Sequence, residues 1–462
     1  MMTLWTSKDV AKALDAKTGD WAASGISIDT RTLKKGDLFF ALKGPHADGH
    51  DYVLQALEKG AVAAVVERIP EGADMVRCVL VPDTLEALED LGRFGRARTQ
   101  AKIIAVTGSV GKTGTKDMLE TVFKDQCRTH ASQKSYNNHW GVPLTLALMP
   151  EDTEVGIFEV GMNHAGEISP LSKMIHPDIA IITTVEAVHI ESFENGEEGV
   201  ADAKAEIFDG LNGSGQVLLN RNNKWFDYLS EKSKNSVISF SLDNSSDAYL
   251  QDALISPDRT DFHARILGQT IPVHLSVSGE HHALNSLPVL LSVKLLGYDL
   301  EQAAASLAGW TQRDGRGKID IINMKEGQAP IYLIDEHYNA SPVAMRAAFA
   351  AMARLRGRKI AVLGDMAELG EKAPDYHREL VPDLLAAGVD LVFAAGPNMT
   401  YLFEELPKDK RALHTDLPDG LCEEMKETLQ PGDVVLIKGS RGGGEKPKMQ
   451  VLVETVQSLA HK

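Results

Sequence analysis

The sequence predicts an α/β protein built from three domains, and three observations lead to that prediction. At 462 residues the chain is too long for a single hydrophobic core. Short apolar, β-rich runs alternate with helical patterns along most of its length, as in parallel sheets that helices cover on both faces. Hydrophobic and charged contents of 43% and 24% are those of ordinary globular proteins.

We place the predicted domains at residues 1–100, 101–313 and 314–462. Each contains several apolar runs of strand length followed by a helical pattern. The predicted strands lie at 61–67 and 76–81 in the first domain, at 103–108, 154–161, 178–185 and 215–220 in the second, and at 330–337, 359–366, 389–396 and 433–440 in the third.

Two segments of the chain differ from this alternation. Residues 235–278 consist of short alternating runs separated by turn residues, which predicts a small antiparallel patch. Residues 311–318, TQRDGRGK, are polar and rich in Gly and Arg, so we expect a hinge there.

Composition excludes several classes of protein. A formal net charge of −17 argues against a nucleic-acid partner, because phosphate backbones are bound by basic surfaces. The three cysteines are far apart, which is typical of free thiols in a reducing compartment. Neither a signal peptide nor an apolar run of about 18 residues is visible. We therefore expect a cytoplasmic protein without a membrane span.

A glycine-rich turn in the second domain predicts a phosphate-binding loop. An apolar strand leads into Gly108 and Gly111, and Lys112-Thr113 then opens a helical pattern. Backbone N–H groups and a helix N-terminus attract anions, Lys112 adds a positive charge, and the Thr113 hydroxyl suits Mg²⁺. The residues predicted to surround the phosphates are Gly108, Ser109, Val110, Gly111, Lys112, Thr113 and Gly114.

Glu159 stands at the end of an apolar strand, immediately before a turn. Its carboxylate should therefore emerge at the carboxyl edge of the sheet, where α/β proteins bind their ligands. A solvated glutamate at a strand end remains the alternative explanation of this residue.

The stretch TGSVGKT resembles the ATP loop of the Mur ligases and of their relative folylpolyglutamate synthase. Other stretches resemble the branch of this family that joins D-alanyl-D-alanine to a UDP-linked muramoyl tripeptide, and they follow family order through the whole chain. These stretches are residues 27–53, 136–146, 159–168, 201–208, 279–285, 335–342, 362–370 and 437–441.

The resemblance implies a central P-loop-type ATPase domain between an N-terminal α/β UDP-binding domain and a C-terminal Rossmann-like domain. It implies ATP and Mg²⁺ as cofactors, and UDP-N-acetylmuramoyl-tripeptide and D-alanyl-D-alanine as substrates. The implied reaction forms an acyl phosphate from the tripeptide carboxylate, and the dipeptide amine then attacks that intermediate. We expect the enzyme to act as a monomer in peptidoglycan synthesis.

The resemblance also implies roles for individual residues. The catalytic set is Lys112, Glu159, His189 and Lys204. The metal ligands are Thr113, Glu159, His189 and, once carbamylated, Lys204. Carbamylation would convert an ammonium group, which repels Mg²⁺, into an anionic oxygen ligand. Composition alone would make Lys204 a surface residue.

Further residues are expected to contact ATP and the two substrates. Those assigned to the nucleotide, besides the loop, are His281, Asn285, Arg316, Asp335, Tyr338 and Asn339. Those assigned to the UDP-precursor or the dipeptide are Thr30, Arg31, Asp48, Gly49, His50, Asn137, Asn138, Asp365 and Glu368. Two positions depart from the family pattern: His282 stands where Asn is common, near the adenine, and His337 stands where a small residue is usual.

Two other functions remain possible from the sequence. One is a related ligase with a different amino-acid acceptor. The other is a nucleotide- or precursor-binding protein without ligase activity, although such a protein would not require the second metal site that His189 and Lys204 predict.

Overall fold

The computed structural model describes residues 3–44, 47–133, 135–188, 190–256, 258–440 and 449–460. They form three main sheets in chain order, within residues 25–80, 102–275 and 318–438, and a short two-stranded ribbon. The predicted α/β class is confirmed. No helix of the described residues is long and apolar enough to span a membrane.

The first sheet has four parallel strands in the order β3-β4-β5-β6, and an antiparallel ribbon, β1-β2, precedes it. The elements are β1 (Trp5–Thr6), α1 (Ser7–Leu14), β2 (Ala22–Ala23), β3 (Gly25–Ser27), β4 (Asp37–Phe40), α2 (Val53–Glu58), β5 (Ala63–Val66), β6 (Cys78–Leu80) and α3 (Thr84–Ala97). Asp83 caps α3, because its carboxylate accepts hydrogen bonds from two free N–H groups of the first turn.

The second sheet has nine strands in the order β15-β14-β13-β12-β11-β10-β7-β9-β8. Its elements are β7 (Lys102–Thr107), α4 (Lys112–Lys124), β8 (Thr129–Ala131), α5 (Gly141–Ala147), β9 (Val155–Glu159), α6 (Ile168–Ile175), β10 (Ile179–Ile182), α7 (Glu197–Ala205), β11 (Gln216–Asn220), α8 (Phe226–Lys232), β12 (Ser236–Ser241), β13 (Ala248–Ile255), β14 (Thr260–Ile266), β15 (Gln269–Leu275), α9 (Glu280–Leu295) and α10 (Leu300–Leu307).

The predicted antiparallel patch is confirmed for β13, β14 and β15. It is wrong for β12, which pairs in parallel with β11, Ile238 lying opposite Leu218. The alternating pattern of β12 identified a strand but could not identify its partner. The antiparallel strands therefore extend the parallel sheet instead of forming a separate unit.

The third sheet has six strands in the order β16-β17-β21-β18-β19-β20, and it is parallel apart from the β16–β17 pair. Its elements are β16 (Lys318–Ile322), β17 (Ile331–Glu336), α11 (Pro342–Arg354), β18 (Lys359–Gly364), α12 (Ala373–Arg378), α13 (Val381–Ala386), β19 (Leu391–Ala395), α14 (Met399–Glu405), β20 (Arg411–Thr415), α15 (Cys422–Thr428), β21 (Val434–Lys438) and α16 (Gln450–Gln457). The strand prediction missed β16 and β20, which lie at the two edges and lack a fully buried apolar run.

In the second sheet β7 lies between β10 and β9, so the carboxyl ends of these three strands are neighbours. The glycine turn follows β7, and Glu159 is the last residue of β9. The strand order thus brings two separate sequence features to one edge of the sheet, where ligands bind in α/β folds.

Candidate active site

The glycine turn between β7 and α4 has the backbone that a phosphate-binding loop requires. Gly108 and Gly111 have φ angles of +143° and +88°, which side chains strongly disfavour. A Cβ atom at Gly108 would lie 2.0 Å from the Thr183 hydroxyl, so this glycine is also required by the close approach of β10. The N-terminus of the 13-residue helix α4 follows directly, and its free N–H groups favour an anion.

Lys112 is half-buried at the start of α4. Its ammonium donates hydrogen bonds to the backbone oxygens of Gly108, at 2.6 Å, and Ser109, at 3.3 Å. Burial lowers the pKa of Lys112, the Glu159 carboxylate opposes this effect, and the Arg316 guanidinium adds to it. Glu159 and Arg316 are therefore close enough to Lys112 to affect its charge electrostatically.

Glu159 has one carboxylate oxygen without a partner. The side chain is 1% exposed, and Oε1 accepts a hydrogen bond of 2.8 Å from the Asn137 side chain. The other oxygen, Oε2, is buried and has no hydrogen-bond partner. A buried, unpaired anionic oxygen is costly unless a cation is bound to it, so Glu159 and the nearby buried Thr113 fit a hard cation such as Mg²⁺.

Lys204, on α7, is 2% exposed. No carboxylate of the described residues forms an ion pair with it. Burial lowers its pKa well below the ordinary value, and the positive charge of Lys112 lowers it further. The side chain is thus unsuited to carry a positive charge in this position. His189, the other predicted metal residue, lies outside the described residues.

The predicted metal ligands in the described part of the chain are mostly not the acidic, His or Cys side chains that usually bind metals. No three His, Cys, Asp or Glu side chains of these residues converge as a metal cluster. The predicted set contains only Glu159 of those four types within the described residues, because Thr113 and Lys204 supply the remaining positions.

The start of α9 lies beside the glycine turn. A Cβ atom at Gly111 would be 2.8 Å from the Asn285 side-chain nitrogen, so Asn285 packs against the turn as predicted for a nucleotide-site residue. The rings of exposed His281 and buried His282 are in contact, tilted by 47° with centroids 3.9 Å apart, and His282 meets Trp310 edge-on at 5.4 Å. Burial lowers the pKa of His282 well below its ordinary value, and the neighbouring His281 adds to this effect.

Arg316, in the predicted hinge, reaches the second domain. Its guanidinium lies 4.3 Å from the Tyr338 ring centroid and donates a hydrogen bond of 3.2 Å to the Ser135 hydroxyl. Together with its effect on Lys112, these contacts bring Arg316 to the phosphate loop. Tyr338 belongs to the turn after β17, so this contact also brings the third domain close to the loop.

Asp335, near the end of β17, is buried and holds the hinge. Its Oδ2 accepts a hydrogen bond from the Gly315 N–H at 2.9 Å, and its Oδ1 accepts one from His337 Nδ1 at 2.5 Å. His337, which departs from the family pattern, therefore has a partner. Asn339 follows in the same turn, and its backbone oxygen accepts a hydrogen bond from Lys438 at 3.0 Å.

The first-domain residues predicted to bind substrate lie on other elements. Thr30 is buried and donates a hydrogen bond to Gln55 at 2.9 Å. Arg31 is exposed and pairs with Asp29 at 2.9 Å. Of these two side chains, Arg31 is the one that solvent and solutes can reach.

Asp48 and His50 use their polar atoms within the first domain. His50 Nδ1 donates to Asp48 at 2.6 Å, while its Nε2 accepts a hydrogen bond from the Glu67 N–H at 2.9 Å. Both ring nitrogens therefore have partners within the first domain. Burial would raise the pKa of Asp48, but hydrogen bonds from Arg68 and His50 hold it below its ordinary value. Gly49 is needed because a Cβ atom would lie 2.7 Å from backbone atoms of Ala41 and Leu42, which follow β4.

Three further predicted residues lie in turns. Asn138 accepts a hydrogen bond from the Gly141 N–H at 3.0 Å and so stabilises the turn before α5. Asp365 accepts one from the Met399 N–H at 2.8 Å, at the start of α14. Glu368 is exposed, with a φ angle of +62°. The structure does not bring Asp365 and Glu368 to the glycine turn through any described contact.

Three charged residues beside the site were not predicted from the sequence. Lys116 and Asp117 lie one turn beyond Lys112 on α4, and Arg313 lies in the hinge. Lys116 is fully buried and contacts Asp117 at 2.5 Å, and Asp117 also pairs with Arg313 at 2.6 Å. Their spacing could have identified Lys116, because residues four apart share one face of a helix.

Family profiles match most of the chain. The profile described as "Mur ligase family, catalytic domain" matches residues 22–94, "Mur ligase middle domain" matches 106–293, and "Mur ligase, glutamate ligase domain" matches 322–441.

Individual relatives match over nearly the full length. The UDP-N-acetylmuramoyl-tripeptide–D-alanyl-D-alanine ligase of Rickettsia prowazekii is 35% identical, over 95% of this chain and 97% of its own. The ligase of the same name from Bacillus subtilis is 33% identical, over 93% of each chain. The crystal structure of MurF from Acinetobacter baumannii has a TM-score of 0.86 at 27% identity, covering 98% of this chain and 99% of its own. MurF from Thermotoga maritima in complex with ADP has a TM-score of 0.78 at 26% identity, covering 94% and 97%.

Proposed function

This chain belongs to the Mur ligase family, and we propose on that premise that it joins D-alanyl-D-alanine to UDP-N-acetylmuramoyl-tripeptide at the expense of ATP. The products are UDP-N-acetylmuramoyl-pentapeptide, ADP and phosphate, formed through an acyl phosphate on the tripeptide. Relatives that carry the name of this reaction match the chain across all three sheets. The enzyme is accordingly an ATP-dependent amide ligase of peptidoglycan synthesis.

One observation supports this chemistry above all. The unpaired oxygen of Glu159 and the ammonium of Lys112 lie at one sheet edge, beside a glycine turn that presents backbone N–H groups. A carboxylate can approach a triphosphate only where positive charge offsets the repulsion. Lys112 and Arg316 supply that charge from the protein. Thr113 and Glu159 would hold Mg²⁺, which adds further positive charge at the phosphates when bound.

Lys204 fits the carbamate that the family resemblance implies. Burial lowers the pKa of Lys204 and so favours the uncharged amine, which is the form that reacts with carbon dioxide. The carbamate would place an anion beside the positive charge of Lys112. We propose Lys204 and His189 as the second pair of metal residues.

The remaining predicted residues are proposed to act at the two ends of the site. Asn285 and His281 serve the nucleotide from α9, and Arg316, Asp335, Tyr338 and Asn339 serve it from the hinge and the third domain. The first domain, to about residue 100, is proposed to bind the UDP end through the region of Arg31. The third domain, from about residue 314, is proposed to bind the dipeptide near Asp365 and Glu368. We also propose a cytoplasmic location, which suits the three free thiols.

The decisive experiment measures ADP release by the purified protein with ATP, Mg²⁺ and UDP-muramoyl-tripeptide, with and without D-alanyl-D-alanine. Release that requires the dipeptide, with pentapeptide as the product, supports the proposal. Release with single amino acids but not with the dipeptide indicates a related ligase with another acceptor. Absence of turnover with every combination indicates a binding protein instead. The Lys112→Ala variant should lose nearly all turnover, and near-normal activity would contradict the role of the glycine turn.

A further inference from the structure

The hinge segment, residues 311–318, is attached first to the second domain. The Gln312 side chain donates a hydrogen bond to His282 on α9, at 2.6 Å. Arg313 donates one to Asp117 on α4, also at 2.6 Å. The first half of the hinge is therefore fixed to the two helices that border the glycine turn.

The second half of the hinge is attached to the third domain. The Gly315 N–H donates to the Asp335 carboxylate, and the Gly317 N–H donates to the Asp335 backbone oxygen at 2.7 Å. Between the two halves stands Asp314, whose side chain is 81% exposed. Asp314, which pairs with Lys318, is therefore the residue at which the attachment changes from the second domain to the third, one residue after Arg313 and two residues before Arg316.

The attachment point on α4 is connected by hydrogen bonds to the phosphate site. Lys116 is fully buried, pairs with Asp117, and donates a hydrogen bond of 3.0 Å to the Ser132 backbone oxygen. The Ser132 hydroxyl accepts a hydrogen bond from the Glu159 N–H at 3.2 Å. Arg313 thus binds to a cluster that is connected by hydrogen bonds to the strand end carrying Glu159.

The position of Arg316 also depends on where the hinge begins on α4. Its backbone N–H donates a hydrogen bond of 3.1 Å to the Arg313 backbone oxygen, and its guanidinium binds the Ser135 hydroxyl, three residues after Ser132. The distance between Arg316 and the glycine turn is consequently set by where the hinge leaves the second domain. That point of departure is the Arg313–Asp117 ion pair.

We propose that Arg313 is a positioning residue of the ligation reaction. Acting through Asp117 and Lys116, it fixes the origin of the hinge on α4 and thereby holds Arg316 at the phosphate site when the third domain closes. The proposal rests on the proposed function. It assigns no contact between Arg313 and either substrate.

The test compares Arg313→Gln and Arg313→Lys with wild type, with Arg259→Gln as the matched control. Arg259 also forms an arginine–aspartate ion pair, with Asp261 at 3.0 Å, at the start of β14 and outside the hinge, and this pair is the more exposed of the two. Each variant is assayed for kcat, for equilibrium affinity for MgATP, and for thermal unfolding.

We expect Arg313→Gln to lower kcat about tenfold, because a small displacement of a reacting group has effects of this size. Its MgATP affinity should stay within about threefold of wild type, since Arg313 acts on position and not on nucleotide binding. Arg313→Lys keeps the charge and should recover kcat to within about threefold. Arg259→Gln should behave as wild type, and all variants should melt as folded proteins.

Several results would overturn the inference. A wild-type kcat in Arg313→Gln would show that the ion pair has no role in turnover. An equal fall in kcat and MgATP affinity would make Arg313 a nucleotide ligand, and an equal fall in Arg259→Gln would make the effect nonspecific. If Arg313→Lys does not regain activity, the positive charge at residue 313 is not what positions Arg316. A wild-type protein without ligase activity would instead contradict the proposed function.

Discussion

The two junctions between the domains are built differently. At the first junction, Trp5 is fully buried, its indole N–H donates to the Ala147 backbone oxygen at 2.7 Å, and the Arg98 guanidinium stacks 3.6 Å from its ring centroid. Gly95 of α3 packs directly on the backbone of Leu146 in α5. One apolar cluster contains residues of both domains, including Trp5 and Ala147.

The second junction is polar. Gln312, Arg313 and Arg316 connect the hinge to the second domain through hydrogen bonds and an ion pair. Among the described residues, the apolar clusters on its two sides remain separate, one pair of clusters lying before residue 311 and the other after residue 318.

Because of this difference, we expect the first junction to be rigid and the second to rearrange more easily. Separating the first would expose apolar surface and disrupt close packing, which is costly. Rearranging the second exchanges polar contacts with water, which changes the free energy little. The first two domains should therefore behave as one rigid unit, while the third can move relative to them.

The largest effect on stability is expected from Trp5→Ala. Removing a fully buried Trp lowers the free energy of unfolding by about 3–5 kcal/mol. Urea denaturation should show one common transition for the first two domains, shifted to lower urea. A loss below about 1 kcal/mol, the size expected of an exposed residue, would contradict the shared core.

Gly95→Ala should have a smaller effect at the same junction. A Cβ atom would lie 2.7 Å from the Leu146 backbone oxygen, which cannot move without displacing the adjoining chain. We expect a loss of about 1–3 kcal/mol, larger than the gain of about 1 kcal/mol in helix propensity.

Gly213→Ala is the control for this substitution, because nothing lies within 4 Å of the added atom. It should change the unfolding free energy by less than about 1 kcal/mol. Similar losses in both variants, measured by the same denaturation, would show that close packing at Gly95 does not decide the result.

Acid should weaken the second junction through His282. Burial lowers its pKa in the folded protein, so below its ordinary pKa near 6.5 the unfolded chain binds more protons. Stability should therefore fall as the pH falls through this range. Between pH 6.5 and 5.5 the contribution is about 1 kcal/mol.

His282→Asn removes this titration. The difference in unfolding free energy between variant and wild type should shift in favour of the variant at pH 5.5, as measured by denaturation at both values. Trp5 and Arg98 keep their charge states over the same range, so Trp5→Ala should show no such shift. A pH-independent difference for His282→Asn would contradict the assignment of a neutral, buried imidazole.

The smallest effect on stability is expected from Arg313→Gln. A partly exposed ion pair contributes about 0–1 kcal/mol, so the variant should unfold almost as wild type does. A loss as large as that of Trp5→Ala would mean that the second junction is as rigid as the first. Calorimetry of the two variants in parallel makes this comparison directly.

Local features of the site were predictable because they depend on neighbours in the chain. Gly108, Gly111 and Lys112 form a turn and a helix start within five residues, and Glu159 ends its own strand. The family resemblance added roles for Lys204 and Asn285, and the structure buries Lys204 and places Asn285 against the turn. His50 was predicted to bind substrate, but both of its ring nitrogens form hydrogen bonds within the first domain.

The sequence by itself determined the α/β class, the positions of most strands, the glycine turn and the family, because these follow from periodicity and short motifs. Only the tertiary structure decided that β12 joins the parallel sheet, that one oxygen of Glu159 has no partner, and that Arg313 binds Asp117. Arg313 and Asp117 are 196 positions apart. A contact over that separation depends on how whole domains pack, and no local pattern of residue types records it.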